Sequence, residues 1–112
     1  MTQVQTATIA NGAALSSSLR LQDGFKPVAL LMPAAFDGTK ITLQVSLDGT
    51  NWYNTRIAFQ QSQELEVEAA TSAAVRIEWF PSWPNWVRLR AGTAGSPSSQ
   101  SGERSIGVVL EK

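Results

Sequence analysis

Residues 41–47, ITLQVSL, alternate apolar and polar side chains without interruption. Because successive side chains of a β-strand point to opposite faces of the sheet, this period of two predicts a strand with one buried face. Residues 48–51, DGTN, are typical of a tight turn, and residues 52–57 predict the returning strand. A β-hairpin near the middle of the chain is therefore the first constraint on the fold.

The same period recurs elsewhere in the chain. It is found in residues 64–69, 75–79, 86–90 and 106–110, and residues 4–9 and 18–21 are shorter candidates. Residues 28–32 are continuously apolar, which predicts a strand buried on both faces. No long apolar stripe with a helical period is present. About eight short strands with turns every 8–12 residues predict an all-β fold, an antiparallel two-sheet sandwich of jelly-roll type, with a closed barrel as the alternative.

The length of 112 residues predicts one domain. Residues 1–12 are polar and poor in large apolar side chains, which suggests an extended N-terminal arm that orders against a neighbour, with a frayed terminus as the alternative. Residues 13–112 then form the single sandwich domain. Residues 92–104 are rich in Gly, Ser and Pro, and we expect this long loop to be poorly ordered in the isolated chain.

Composition excludes several kinds of chemistry. The chain has no His and no Cys, so an imidazole base, a thiolate nucleophile and a Cys/His zinc site are impossible. Nine basic side chains balance nine acidic ones, without the excess that phosphate binding usually requires. The longest apolar runs are far shorter than a membrane span. We therefore expect no catalytic residue, cofactor or metal, and neither a nucleic acid nor a membrane as a partner.

Glu64, Glu66 and Glu68 are the most enzyme-like group. On one strand face their Cα atoms would lie about 6.5–7 Å apart, close to the separation of two glycosidase carboxylates. Catalysis also requires one acid to be desolvated while the other stays ionised. The simpler interpretation is the solvated face of a strand, with Arg88 and Arg90 as possible cross-strand partners.

Tryptophan supplies the best candidates for contact with a partner. Three of the four tryptophans lie within eight residues, around the double-proline loop 81–85. Trp79 and Trp86 are expected to flank this loop and to plug the end of the core, whereas Trp83 at the tip suits contact and core equally. The predicted partner-binding residues are Trp79, Trp83, Trp86, Asn85 and Arg88.

Two parts of the chain resemble small β-sandwich virion proteins of tailed bacteriophages. They are the hairpin at residues 41–53, ITLQVSLDGTNWY, and the ending, WVRLRAGTAG at 86–95 with RSIGVVL at 104–110. The resemblance implies a capsid decoration (cement) protein, or a related head or tail component, located in the virion after assembly in the host cytoplasm. It implies the major capsid protein or other virion subunits as partners and a homo-oligomer, with a trimer favoured, and it carries no catalytic residues.

The D-G-x-x-W hairpin is also similar to discoidin-like and carbohydrate-binding sandwiches. The alternative function is therefore a carbohydrate-binding module, free-standing or on a tail fibre, that binds a glycan through exposed tryptophans. Asn51, Tyr53, Asn85 and Arg88 would supply the flanking hydrogen bonds. A glycosidase that uses Glu64 and Glu66 is the third hypothesis.

Overall fold

A computed structural model describes residues 2–22, 24–57, 60–77 and 84–112. Short strands and turns make up this part of the chain, without a helix. Eleven strands are described: β1 (Thr2–Ile9), β2 (Leu19–Arg20), β3 (Lys26–Leu31), β4 (Lys40–Ser46), β5 (Tyr53–Asn54), β6 (Arg56–Ile57), β7 (Gln60–Glu64), β8 (Glu66–Glu68), β9 (Ala74–Arg76), β10 (Trp86–Ala91) and β11 (Arg104–Glu111).

Nine of these strands form two antiparallel sheets. The first sheet has the order β1-β11-β3-β9, and its two long strands β1 and β11 pair along their whole length. The second sheet has the order β2-β10-β4-β5, with β8 also paired to β4. Strands β6 and β7 form a separate two-stranded ribbon. The predicted hairpin is confirmed, because β4 and β5 pair through Gln44–Asn54 and Val45–Tyr53.

The core lies between the inner faces of the two sheets. Every second residue of β4, β10 and β11 points inward, and these side chains are at most 3 % exposed. They are Ile41, Leu43, Val45, Val87, Leu89, Ala91, Ile106, Val108 and Leu110. Interlocking apolar faces of two sheets stabilise a sandwich through the area they remove from water. The prediction of an all-β, antiparallel two-sheet sandwich is thus confirmed.

The predicted two-sided burial of residues 28–32 is wrong. Leu30 in β3 is fully buried, but Leu31 on the opposite face is 42 % exposed. The run is continuous because the outer face of this sheet also carries apolar side chains, so its composition conceals the ordinary alternation of a half-buried strand.

The polar N-terminal segment lies in the sheet of its own chain. Residues predicted as an extended arm form β1, and Ala7 and Ile9 near its end are fully buried. Residues 10–17 then cross to the second sheet, where Leu15 forms a bridge with Arg90. The segment is extended, as expected, but its ordering comes from β11 rather than from a neighbour.

The long loop 92–104 is tied to the sandwich by hydrogen bonds, contrary to the expectation of poor order. Gln100 is 1 % exposed; its amide accepts from the Asp37 backbone N–H at 2.9 Å and donates to the Asp37 carbonyl at 2.8 Å. Its backbone pairs with Gly12 and Ala13. A buried amide with complete hydrogen bonding here takes the place of the large apolar residue that the loop lacks.

We expect Gly92→Ala to destabilise the protein. Gly92 has a φ of +84°, and a Cβ at this position would overlap the carbonyl oxygen of Ser96. The left-handed backbone and the overlap together predict a loss of at least about 2 kcal/mol in the free energy of unfolding. Gly95→Ala is the control, because that position has open space around it. Urea denaturation of both variants checks the prediction, and equal midpoints would contradict it.

Candidate contact surfaces

Three of the five predicted partner-binding residues lie in the described part of the chain. Trp79 and Trp83 are outside it. Asn85, Trp86 and Arg88 are found together at the start of β10, where Trp86 and Arg88 point to the outer face of the second sheet. Asn85 uses its amide within the chain, donating to the carbonyl of Leu47 at 3.0 Å. Asn85 thus stabilises the neighbouring turn.

Trp86 is packed between a cation and a glycine. The guanidinium carbon of Arg20 lies 5.6 Å from the centre of its ring, because Arg20 in β2 stands directly opposite in the sheet. On the other side, a Cβ built at Gly49 would lie 3.0 Å from the indole, so the glycine allows the turn to approach the ring. Trp86 is half-buried and joins β2 to the β4–β5 turn.

Trp52 and Arg88 form a second stacked pair, which the sequence pattern does not predict. The guanidinium carbon of Arg88 lies 4.3 Å from the centre of the Trp52 ring, and its Nε donates to the side-chain oxygen of Gln44 at 2.7 Å. Gln44 in turn donates to Asn54 at 2.9 Å. The strand register could have revealed this row, because Arg88, Gln44 and Asn54 are cross-strand neighbours.

Arg88 is partly buried on this face. Burial, together with the nearby charge of Arg90, lowers the pKa of Arg88. No carboxylate in the described part of the chain pairs with it. Its charge is balanced by the π-face of Trp52 and by the Gln44 oxygen, so one face of this indole is already covered.

The Asp48 carboxylate organises the turn that leads to Trp52. It accepts hydrogen bonds from the backbone N–H groups of Thr50 and Asn51 at 2.8 Å, and from the Ser46 hydroxyl at 3.0 Å. These hydrogen bonds, led by the one from the Asn51 backbone, lower the pKa of Asp48 well below its usual range. These contacts of Asp48 are those expected of a turn residue.

The three glutamates do not share one environment. Glu64 ends β7 and forms a salt bridge with Arg90, in which both side chains are 8 % exposed. Its other carboxylate oxygen accepts from the Ala94 N–H at 2.7 Å. Glu66 in β8 instead pairs with Lys40 at 3.3 Å on the surface. Arg90 is thus a partner of Glu64, but not across a strand pair, because β7 pairs with β6 while β10 pairs with β2 and β4. The predicted solvated face is wrong for Glu64, whose nearly buried carboxylate is occupied by structural contacts.

Replacing Glu64 should therefore cost far more than replacing its neighbour. Glu64→Gln leaves Arg90 buried without a counter-charge, which we expect to lower the free energy of unfolding by about 3 kcal/mol. Glu66→Gln removes only a surface ion pair and should cost at most about 1 kcal/mol. Denaturant titration of the two variants makes the comparison, and a Glu64→Gln protein as stable as Glu66→Gln would contradict the role of the buried pair.

The outer face of the first sheet has a different character. We call it the neutral face, because the side chains that point outward from its centre carry no charge. Leu31 lies against Gly107, where a Cβ would come within 3.1 Å of it. Val4 is 56 % exposed and stands opposite Val109. The neutral face consists of Val4, Thr6, Ala29, Leu31, Ala74, Gly107 and Val109, bordered by Lys26, Arg76 and Glu111.

A shallow groove runs along one side of the neutral face. Its volume is about 540 Å³, and it is lined in part by Ala29, Val109 and Arg76. It lies beside an irregularity in the pairing of β11 with β3, between Val109 and Leu110. A bulge at this point increases the local twist of the sheet, which is consistent with a groove there rather than a flat surface.

Neither a metal centre nor a helical membrane span is found in the residues that the structure describes. No three acidic side chains in these residues come together where a metal ion could bind. The same residues contain no helix with the length and apolar character that a bilayer crossing demands. Comparison with known proteins yields no matching family model, no matching curated protein and no matching solved structure.

Proposed function

We propose that this protein is a structural virion component, a capsid decoration or cement protein that bridges neighbouring shell subunits by surface contact. The observation that supports the proposal best is the neutral face. It presents Leu31, Val4 and Val109 on a broad sheet surface without a charge at its centre. Such a face suits contact with another protein, because interface centres are depleted in charged side chains.

The energetics of the neutral face favour a protein partner over a charged ligand. Covering Leu31 and Val4 removes apolar area from water at about 25 cal/mol per Å². Burying the threonine and glycine residues of this face costs little desolvation energy. Each buried charge, in contrast, would need its own partner charge or hydrogen bonds. The proposed partner surface is therefore an uncharged patch on the major capsid protein or another virion subunit.

The wider surface fits the same role. Several charged side chains away from the neutral face are engaged within the chain, as Arg90 is with Glu64, Lys40 with Glu66 and Arg104 with Asp37. Because these charged side chains bind each other, the uncharged surface is the part of the protein that is suited to contact with a partner. The proposed location is the assembled virion.

Binding to purified shells should depend on the neutral face. Ala74→Glu places a carboxylate on an exposed position of β9, next to Leu31, without removing a buried group. Burying this unpaired charge in an interface should lower shell affinity at least tenfold, since about 1.4 kcal/mol corresponds to a factor of ten. Occupancy measured by co-sedimentation with shells tests this. Ser99→Glu, in the loop 92–104, is the control with the same charge.

An Ala74→Glu protein that occupies shells like the wild type would refute a contact through the neutral face. Deletion of residues 1–12 is a poorer test, because it removes β1 together with the buried Ala7 and Ile9. Loss of binding after that deletion would report unfolding as readily as a lost contact.

A carbohydrate-binding module is the second candidate function, and the stacked pair Trp52–Arg88 is the observation that favours it. Asn54 lies beside this pair on the same face and offers an amide, whereas Tyr53, 64 % exposed, stands opposite the inward-facing Val45 and points to the other face. An indole with an adjacent amide is a common means of binding a sugar ring. If the protein has this function, the wild-type chain should bind glycans on an array. Trp52→Ala should abolish this binding, and Ser99→Glu should retain it. A silent array with the wild-type protein removes the candidate.

A further inference from the structure

Strand β1 is a long edge strand whose outer edge is open over most of its length. Among the described strands it pairs only with β11, and it runs for eight residues. The other edge strands described for the two sheets are much shorter: β8 and β9 have three residues each, and β2 and β5 have two each. Short edge strands are one way in which proteins prevent edge-to-edge pairing, and β1 lacks this protection.

The backbone of β1 determines which of its groups face the open edge. Thr8 turns away from β11, because its carbonyl accepts from the Ser17 N–H at 2.9 Å and its N–H donates to the Ser17 hydroxyl at 3.1 Å. The N–H and C=O groups of a strand alternate sides with a period of two. Those of Thr2, Val4 and Thr6 therefore point the same way as those of Thr8, and none has a backbone partner among the described residues.

The side chains of β1 do not protect this edge either. Residues 2–6, TQVQT, contain no charge, proline or glycine, and these are the usual devices that discourage pairing. Ser16 and Ser17 cover only the end of the strand, at Thr8 and Ile9. A row of unpaired backbone groups therefore remains along an uncharged strand.

We propose that β1 pairs in antiparallel fashion with β1 of a second copy of this chain, about a twofold axis at Val4. In this register Val4 faces Val4 of the second copy, and Thr2 faces Thr6 of the second copy. The outward backbone groups then form about six hydrogen bonds, two for each of three facing residue pairs. The two first sheets become one sheet of eight strands.

The sequence of β1 favours a second copy as the occupant. An antiparallel self-pair sets identical charges close together wherever a strand is charged, and residues 2–6 carry none. The facing side chains are valine with valine and threonine with threonine, which are favourable cross-strand pairs. Both neutral faces lie on the same side of the joined sheet and become continuous, since a twofold axis normal to a sheet keeps the two outer faces together. The pairing concerns the free chain in solution and is independent of the proposed virion role.

Two variants test the pairing without disturbing the monomer. Val4→Pro removes an N–H that makes no bond to β11, and proline is tolerated on a sheet edge when its position faces outward. We expect the wild-type protein to sediment as a species of twice the chain mass, and Val4→Pro to sediment as a monomer with an unchanged circular dichroism spectrum.

Val4→Cys provides a positional test, because the natural chain has no cysteine. Hydrogen-bonded residues facing each other in an antiparallel pair have Cα atoms about 5.5 Å apart, within the range of a disulfide. Mild oxidation should therefore cross-link Val4→Cys at least about tenfold faster than Thr8→Cys, whose position on β1 is covered by Ser17. Thr8→Cys lies on the same face and strand, which makes it a matched control.

Three results would overturn the proposal. They are a wild-type protein that stays monomeric at the highest soluble concentration, a trimer as the stable species, and equal cross-linking rates for the two cysteine variants. If β1 instead pairs with an extended segment of a different protein, the wild-type chain alone stays monomeric. It then forms a heteromeric complex with that protein, and Val4→Pro abolishes the complex. Each result leaves the shell-binding measurement with Ala74→Glu unaffected, so the two proposals fail separately.

Discussion

The structure depends on the register in which β10 pairs with β4. Val87 stands opposite Val45 and Leu89 opposite Leu43, so both apolar rows face the first sheet. A shift of one residue would turn these rows outward and direct Trp86 and Arg88 into the core, and it would separate the buried Arg90 from Glu64. The register thus defines the core and, by the same alternation, assembles the outer face that carries the aromatic and arginine side chains.

The charged Arg90 side chain on this outer face is bound by side chains close to it. Arg90 donates through Nε to the hydroxyl of Thr42 at 3.1 Å and through Nη1 to Asn54 at 3.1 Å, and its remaining hydrogen bond goes to Glu64. Glu64 then reaches the backbone of Ala94, which connects the ribbon β6–β7 to the long loop. Asp37 acts similarly at the other end of the loop, where hydrogen bonds from Ser101 and then from Arg104 lower its pKa. Specific ion pairs of Arg90, Arg104 and Lys40 in the described part of the chain thus account for part of the balance between nine acidic and nine basic side chains.

The sequence predicts those parts of the fold that follow from local periodicity. The alternation at residues 41–47 and the turn at 48–51 are sufficient for the β4–β5 hairpin, because both rules concern neighbouring residues. The stack of Arg88 on Trp52 depends on three strands lying side by side, and the buried Gln100 depends on a contact with Asp37 that is 63 residues distant. Non-local pairings of this kind have no signature in a short window, so tryptophans could be predicted as contact residues but the side chains that hold them could not.

The two features of the first sheet are best understood together. An uncharged sheet face and an open, uncharged edge are separately hazardous for a protein in solution, because each invites adhesion to other chains. This chain shortens the other described edges and pairs its charges on the opposite sheet, yet leaves β1 eight residues long and uncharged at residues 2–6. A single charged substitution at Thr2 or Thr6 would protect the edge at almost no cost to the fold, since both side chains are exposed. The absence of such a charge on β1 therefore supports contact as the purpose of this surface.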